Sequence, residues 1–266
     1  VIYNDFFSHC LQRKKTFLCI GIDPDVDKLP EKFTCDLNGL AEFCREIIQA
    51  TAEFTVAYKF NLAFFERWGW RGWQVLENLI TAVPADVLTI ADAKRGDIGN
   101  SSRFYTQAFF KMLPFHAITL SPYLGPDSIT PFIEDADHGA FVLCVTSNFG
   151  GRIIQEHGDS QPVYLKVAEM VESLNKNRNL GLVMGATKPE QLTEVRQKFP
   201  TLPFLIPGIG AQGGEVEQAV AVCRSAGQGL INVSRAILFP TSGAFPANVR
   251  EMAAYYQQQF KIQEEQ

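Results

Sequence analysis

Two kinds of hydrophobic pattern alternate along the chain. Short, nearly continuous apolar runs are separated by longer stretches in which apolar residues recur every three or four positions. The first kind suits strands covered on both faces, and the second suits helices that lay one stripe against a sheet. Strands are expected over residues 16–22, 55–60, 87–95, 117–121, 140–145, 181–186, 203–207 and 229–234. Helices are expected over 4–15, 37–54, 73–82, from the cap-rich Gly99-Asn100-Ser101 through Phe110, near 128–136, over 163–175 and 189–198, from Glu215 onward, and at the C-terminus. The 37–54 stretch carries the clearest stripe, Leu40, Phe43, Ile47 and Ile48. Eight strands separated by helices, with no linker, repeat or low-complexity break, predict one α/β domain over 1–266, a (β/α)8 TIM barrel. An open doubly wound sheet is the alternative.

A barrel gathers its chemistry where the strands end, so the barrel reading can be tested on those positions. Asp23 follows the first strand, Lys59 ends the second, and Asp92, Lys94 and Asp97 crowd the end of the third. Ser147 and Asn148 follow the fifth, Gln212 the seventh, and Ser234 and Arg235 the eighth. Residues i and i+2 of a strand share a face, so Asp92 and Lys94 leave the sheet side by side. A structural ion pair would explain those two alone. It does not explain the further charges at the ends of strands one to three. A second stretch, Pro207-Gly-Ile-Gly-Ala-Gln-Gly-Gly214, precedes a helix. Its glycines let backbone N–H groups approach an anion, and Arg235 lies where a guanidinium would complete a phosphate cradle. The embedded Gly-x-Gly-x-x-Gly also invites a dinucleotide reading, but strand eight ends without the acidic residue that would hold a ribose.

Composition narrows the class further. At 266 residues and 46% hydrophobic, the chain has enough apolar surface for a large core, and a net charge of −5 argues against a nucleic-acid partner. No apolar run reaches membrane-spanning length, and the N-terminus has no secretory pattern. Six scattered cysteines without a Cys-x-x-Cys suit reduced thiols, and a cytoplasmic location is expected. Neither the cysteines nor the four histidines have metal-ligand spacing, so no metal site is expected. Trp68, Trp70 and Trp73 are read as packing residues.

Ala91-Asp-Ala-Lys-Arg-Gly-Asp-Ile-Gly-Asn100 resembles the signature of the orotidine 5′-phosphate decarboxylase family, in its longer bacterial branch. Thr146-Ser-Asn148 and Ser121-Pro-Tyr-Leu-Gly125 resemble that branch as well, and the likeness covers almost the whole chain. The resemblance implies decarboxylation of orotidine 5′-phosphate to UMP and CO2, the last step of de novo pyrimidine nucleotide synthesis, with no cofactor or metal. It makes Lys94 the ammonium that stabilises and then protonates the C6 carbanion, flanked by Asp92 and Asp97 and joined by Lys59. It makes Asp23 a ribose ligand and Ser147, beside Asn148, a pyrimidine contact. Pro207, Gln212, Gly214, Ser234 and Arg235 fall at the phosphate. Asp97 and Ile98 reach a neighbouring subunit's site, which implies a homodimer. At this length a fused orotate phosphoribosyltransferase is not expected. The chain departs from the branch at Phe149, where a proline is common, so the next loop is expected to take its own shape. Two alternatives stay open: a magnesium-dependent sugar-phosphate decarboxylase of the 3-keto-gulonate 6-phosphate type, and a catalytically silent barrel that binds a phosphate ligand.

Overall fold

Eight parallel strands close on themselves in chain order, so the open-sheet alternative is excluded. They are β1 (Leu18–Ile22), β2 (Ala57–Asn61), β3 (Leu88–Arg95), β4 (Ala117–Leu120), β5 (Gly139–Val145), β6 (Leu180–Met184), β7 (Phe204–Pro207) and β8 (Gly229–Val233). Closure is made by β8 pairing with β1 through Leu18↔Ile231, Cys19↔Asn232 and Ile20↔Val233. The computed structural model describes residues 1–209 and 213–262.

The strands sit where the apolar runs predict them, because each run is buried almost throughout. The first is shorter than expected. Thr16 bridges antiparallel to Lys261, and the Phe17 N–H donates to the Phe260 carbonyl, so the C-terminal segment takes the start of this run, while the Phe17 carbonyl already accepts from Ile231 of β8.

Helices α1 (Tyr3–Lys14) and α2 (Leu37–Thr51) show how the outer layer is set. Asp36 caps α2 by accepting from the Asn38 and Gly39 N–H groups. The α2 stripe then buries Leu40, Phe43, Cys44 and Ile47 completely. Phe43 stacks on Phe239 with ring centres 5.4 Å apart and on Phe245 at 5.5 Å. Truncating it to alanine would cost about 3–5 kcal/mol. Helix α1 lies at the amino-terminal ends of strands, where Gln228, just before β8, donates to Asn4 and Ser8. Tyr3 lies against Gly139, where a Cβ would strike the tyrosine ring.

The remaining helices are α3 (Ala63–Glu66), α4 (Trp70–Thr81), α5 (Gly99–Gln107), α6 (Arg152–Gln155), α7 (Val163–Leu174), α8 (Pro189–Lys198), α9 (Gly213–Ala226), α10 (Arg235–Leu238) and α11 (Ala247–Gln259). A π-helical turn, Ala108–Met112, continues α5.

Two expectations need correcting. The helix expected near 128–136 is a pair of 3-10 turns, Pro126–Ser128 and Thr130–Phe132. Pro131 lacks an N–H and restricts Thr130, so an α-helix cannot run through it. The chain that follows is pinned instead by Asn179, whose amide donates to the carbonyls of Ile133, Asp135 and His138. Among the tryptophans, Trp68 and Trp73 pack against the core, but Trp70 is 63% exposed, with the Arg71 guanidinium over its ring. Cys10, Cys19, Cys44, Cys144 and Cys223 are buried free thiols, and Cys35 is an exposed one.

Candidate active site

The carboxyl ends of the strands surround a cavity of about 720 Å³. At its centre β3 departs from regular pairing. Ala91 opposes Ile118, but the next β3 partner is Arg95, opposite Leu120. Asp92, Ala93 and Lys94 therefore face Thr119 alone, a bulge that pushes this segment away from its neighbour. Lys94 completes the distortion with a left-handed φ of 48°.

The bulge brings together a chain of charges. Asp92 accepts from the Lys59 ammonium through Oδ2 at 2.7 Å and from the Lys94 ammonium through Oδ1 at 2.6 Å. Thr119 Oγ1 donates to the same Oδ1 at 3.1 Å and accepts from the Lys94 backbone N–H at 3.0 Å. The side-by-side pairing of Asp92 and Lys94 is thus as expected, although a bulge and not a regular strand produces it.

Exposure divides the two lysines. The Lys59 side chain is 6% exposed and that of Lys94 49%, so Lys59 anchors the carboxylate while Lys94 faces the cavity. Burial works against the Asp92 carboxylate, but the two ammoniums outweigh it and hold its pKa at about 2. Burial likewise works against the Lys59 charge. Asp92 and then Asp23 reverse that effect and raise its pKa above the ordinary lysine value. Beneath them Cys19 is a neutral thiol, pushed up to about 12 mainly by burial, and its Sγ–H donates to Asn232 Oδ1.

Most of the residues singled out in the sequence line this cavity: Asp23, Lys59, Asp92, Lys94, Ser147, Asn148, Pro207, Ser234 and Arg235. Asp23 lines the cavity, and its buried Oδ1 has no hydrogen-bond partner among the described residues. Gly208 takes φ 92° at the turn after β7, which favours glycine. Gly214 lies in the first turn of α9, and Gln212 lies outside the described residues.

Asp97 and Ile98 do not line this chain's cavity. Asp97 Oδ1 accepts from the Ile98 N–H, and the Asp97 carbonyl accepts from the Ser102 hydroxyl, which fixes the turn into α5. Ile98 is exposed. After β5, Phe149–Gly151 forms a 3-10 turn with Phe149 exposed and the Arg152 guanidinium 3.9 Å from its ring centre.

Three polar lining residues went unmarked in the sequence: Asn61, Thr119 and Asn232. Asn232 interrupts an apolar strand two positions before Ser234 and donates to its hydroxyl at 3.2 Å. Asn61 likewise stands two positions after Lys59. Strand alternation therefore signalled both.

A parallel barrel with a concave rim, a lysine–carboxylate–lysine chain and a glycine turn opposite is built as a TIM-barrel enzyme. The model of the orotidine 5′-phosphate decarboxylase / HUMPS family matches residues 16–241. The chain belongs to that family. It is 44% identical over 243 residues to the orotidine 5′-phosphate decarboxylase of Herpetosiphon aurantiacus, covering 90% of each chain. It is 45% identical over 239 residues to that of Dehalococcoides mccartyi, covering 87% of each. Among solved structures, Leishmania donovani OMP decarboxylase superposes with a TM-score of 0.83 at 37% identity, over 97% of this chain and 99% of that one.

Proposed function

We propose that the chain decarboxylates orotidine 5′-phosphate to UMP and CO2, with residues 1–266 acting as one domain. The observation that carries this reading is the Lys59–Asp92–Lys94 chain at the rim of a barrel of this family. Loss of CO2 from C6 of the pyrimidine leaves a carbanion in the ring plane that no adjacent group delocalises. The Lys94 ammonium, held by Asp92 and open to the cavity, is a fixed cation for that charge and the source of the proton that ends the step. Asp92 keeps the ammonium in place, and Lys59 keeps Asp92 ionised.

The other roles follow the cavity. Asp23 takes a ribose hydroxyl on its carboxylate, Ser147 and Asn148 meet the pyrimidine, and the phosphate lies between the turn at Pro207 and Arg235, with Gln212, Gly214 and Ser234 contributing. These contacts are remote from C6, so their binding energy can orient the ring. No cofactor or metal is required by this chemistry.

Asp97 and Ile98 belong, on this reading, to the neighbouring site of a homodimer. Their exclusion from their own cavity supports it, as does the exposure of Ile98 before α5, Phe104 on α5, and Tyr123 and Leu124 in the loop after β4. Among the described residues no helix is long and apolar enough to cross a membrane. We assign the enzyme to the cytoplasm.

The test is to incubate the protein with orotidine 5′-phosphate, with and without a chelator, and follow ultraviolet absorbance. Conversion to UMP that survives the chelator is expected. Absence of conversion, or conversion that requires added magnesium, would refute the reading in favour of a silent or a metal-dependent relative.

A further inference from the structure

The bulge in β3 leaves one backbone group without its ladder partner, and one side chain replaces it. Pairing between β3 and β4 jumps from Ala91↔Ile118 to Arg95↔Leu120, so Thr119 alone stands opposite three residues. Its side-chain oxygen lies 3.0 Å from the Lys94 amide nitrogen and 3.1 Å from Asp92 Oδ1. An amide can only donate here and a carboxylate can only accept, so both directions are fixed. The hydroxyl proton goes to Asp92, and a lone pair takes the Lys94 N–H.

We propose that Thr119 is a positioning residue for decarboxylation, which closes Lys94 and Asp92 into one rigid unit; this rests on the function proposed above. The Asp92 oxygen that receives the hydroxyl proton is the oxygen that grips the Lys94 ammonium at 2.6 Å. Thr119 therefore holds Lys94 at both ends: at the amide where its backbone leaves the strand, and at the carboxylate that receives its side chain. Both holds are needed. The left-handed backbone of Lys94 is disfavoured for a residue with a Cβ and persists only where its surroundings fix it. The side chain is half exposed, so without the carboxylate in place it is free to turn into solvent. Thr119 itself is 1% exposed, which leaves its hydroxyl no water with which to exchange these bonds.

Such a residue should govern turnover more than binding. Ribose and phosphate contacts lie on other strands, and their geometry does not depend on β4. The decisive comparison is between Thr119→Val, which keeps the shape and removes the hydroxyl, and Thr119→Ser, which keeps the hydroxyl. The valine variant should lose about 10- to 100-fold in kcat, the range expected for deleting a hydrogen bond to a charged group. Its UMP affinity should stay within about twofold of wild type, because that loss is confined to the transition state. Serine should restore most of the turnover. In the free enzyme, hydrogen exchange at the Lys94 amide, followed by NMR, should quicken in the valine variant and remain protected with serine. This last measurement uses no substrate, so it tests the clamp even if the wild type fails to decarboxylate orotidine 5′-phosphate. Wild-type kcat in a folded Thr119→Val protein, equal losses in both variants, a loss confined to KM, or unchanged exchange at Lys94 would each overturn the proposal.

Discussion

Replacing Asp92 by asparagine should destabilise the protein through Lys59 rather than through Lys94. Asp92 joins two ammoniums at nearly equal distances, 2.7 and 2.6 Å, but the Lys59 side chain is 6% exposed and that of Lys94 is 49% exposed. Without the carboxylate Lys94 turns to water, whereas Lys59 remains a buried cation with only the more distant Asp23 to offset it. The fall in the Asp92 pKa from 3.8 to about 2 corresponds by linkage to on the order of 2 kcal/mol. An orphaned buried charge raises the expected loss to about 3–5 kcal/mol. Removing the orphan should reverse it: Asp92→Asn with Lys59→Met should be more stable than Asp92→Asn alone. Lys59→Met by itself should cost less, since Asp92 keeps Lys94 and Thr119. The pH dependence has a definite sign. A carboxylate with a depressed pKa contributes fully above its unfolded value, and the contribution is lost as pH falls through its folded one. A lysine with a raised pKa contributes fully below its ordinary value, and its contribution is lost only as pH rises through the folded one. The wild-type advantage over Asp92→Asn should thus be flat near neutrality and shrink from about pH 4 toward pH 2. Urea unfolding of the four proteins at neutral pH and at several acidic pH values measures this, with equal m-values as the check that midpoints report stability. If the double variant is no more stable than Asp92→Asn, the burial argument for Lys59 is wrong.

Lys94→Ala should fold normally and lose turnover of orotidine 5′-phosphate; wild-type decarboxylation by that variant would remove Lys94 from the mechanism. Arg235→Ala should weaken substrate binding by about 2–5 kcal/mol, as when one partner of a desolvated charge pair is deleted. Orotidine lacking the phosphate should be a poor substrate and nearly indifferent to that change, so equal losses for both compounds would place the phosphate elsewhere. Mixing inactive Lys94→Ala with inactive Asp97→Ala should restore roughly a quarter of wild-type activity under random subunit exchange, because one site of each heterodimer carries neither lesion. Verified heterodimers without recovery would put Asp97 in its own subunit's chemistry.

The strands were legible because a parallel barrel buries both faces, and each run from 16–22 to 229–234 shows it. Counting those runs gave the barrel, and the positions at their ends gave every charged residue of the cavity's lining. What could not be read depends on register. Nothing in Ala-Asp-Ala-Lys reveals that two residues are gained against β4, so simple alternation placed Asp92 and Lys94 together while the bulge that does so stayed hidden. Thr119 looked like one more β-branched strand residue, because its partners lie more than twenty positions away in sequence. The helix expected near 128–136 was an error of weighting, since Pro131 was visible within it. Asp97 was recognised by its motif, yet its place outside its own cavity is a matter of turn geometry that spacing alone does not give.

The seam where β8 meets β1 has a consequence for biosynthesis of the active protein. Gly21 sits on β1 against Ser234, and a methyl group there would collide with the serine hydroxyl beside Arg235. The lysine–carboxylate chain comes from the second and third strands, whereas Arg235 follows the eighth. A nascent chain emerging from the ribosome therefore carries Lys59, Asp92 and Lys94 well before Ser234 and Arg235 are made. Before β8 pairs with β1, any attraction between Lys59 and Asp92 acts across water and is screened; the cavity that shelters the pair exists only once the ring is closed.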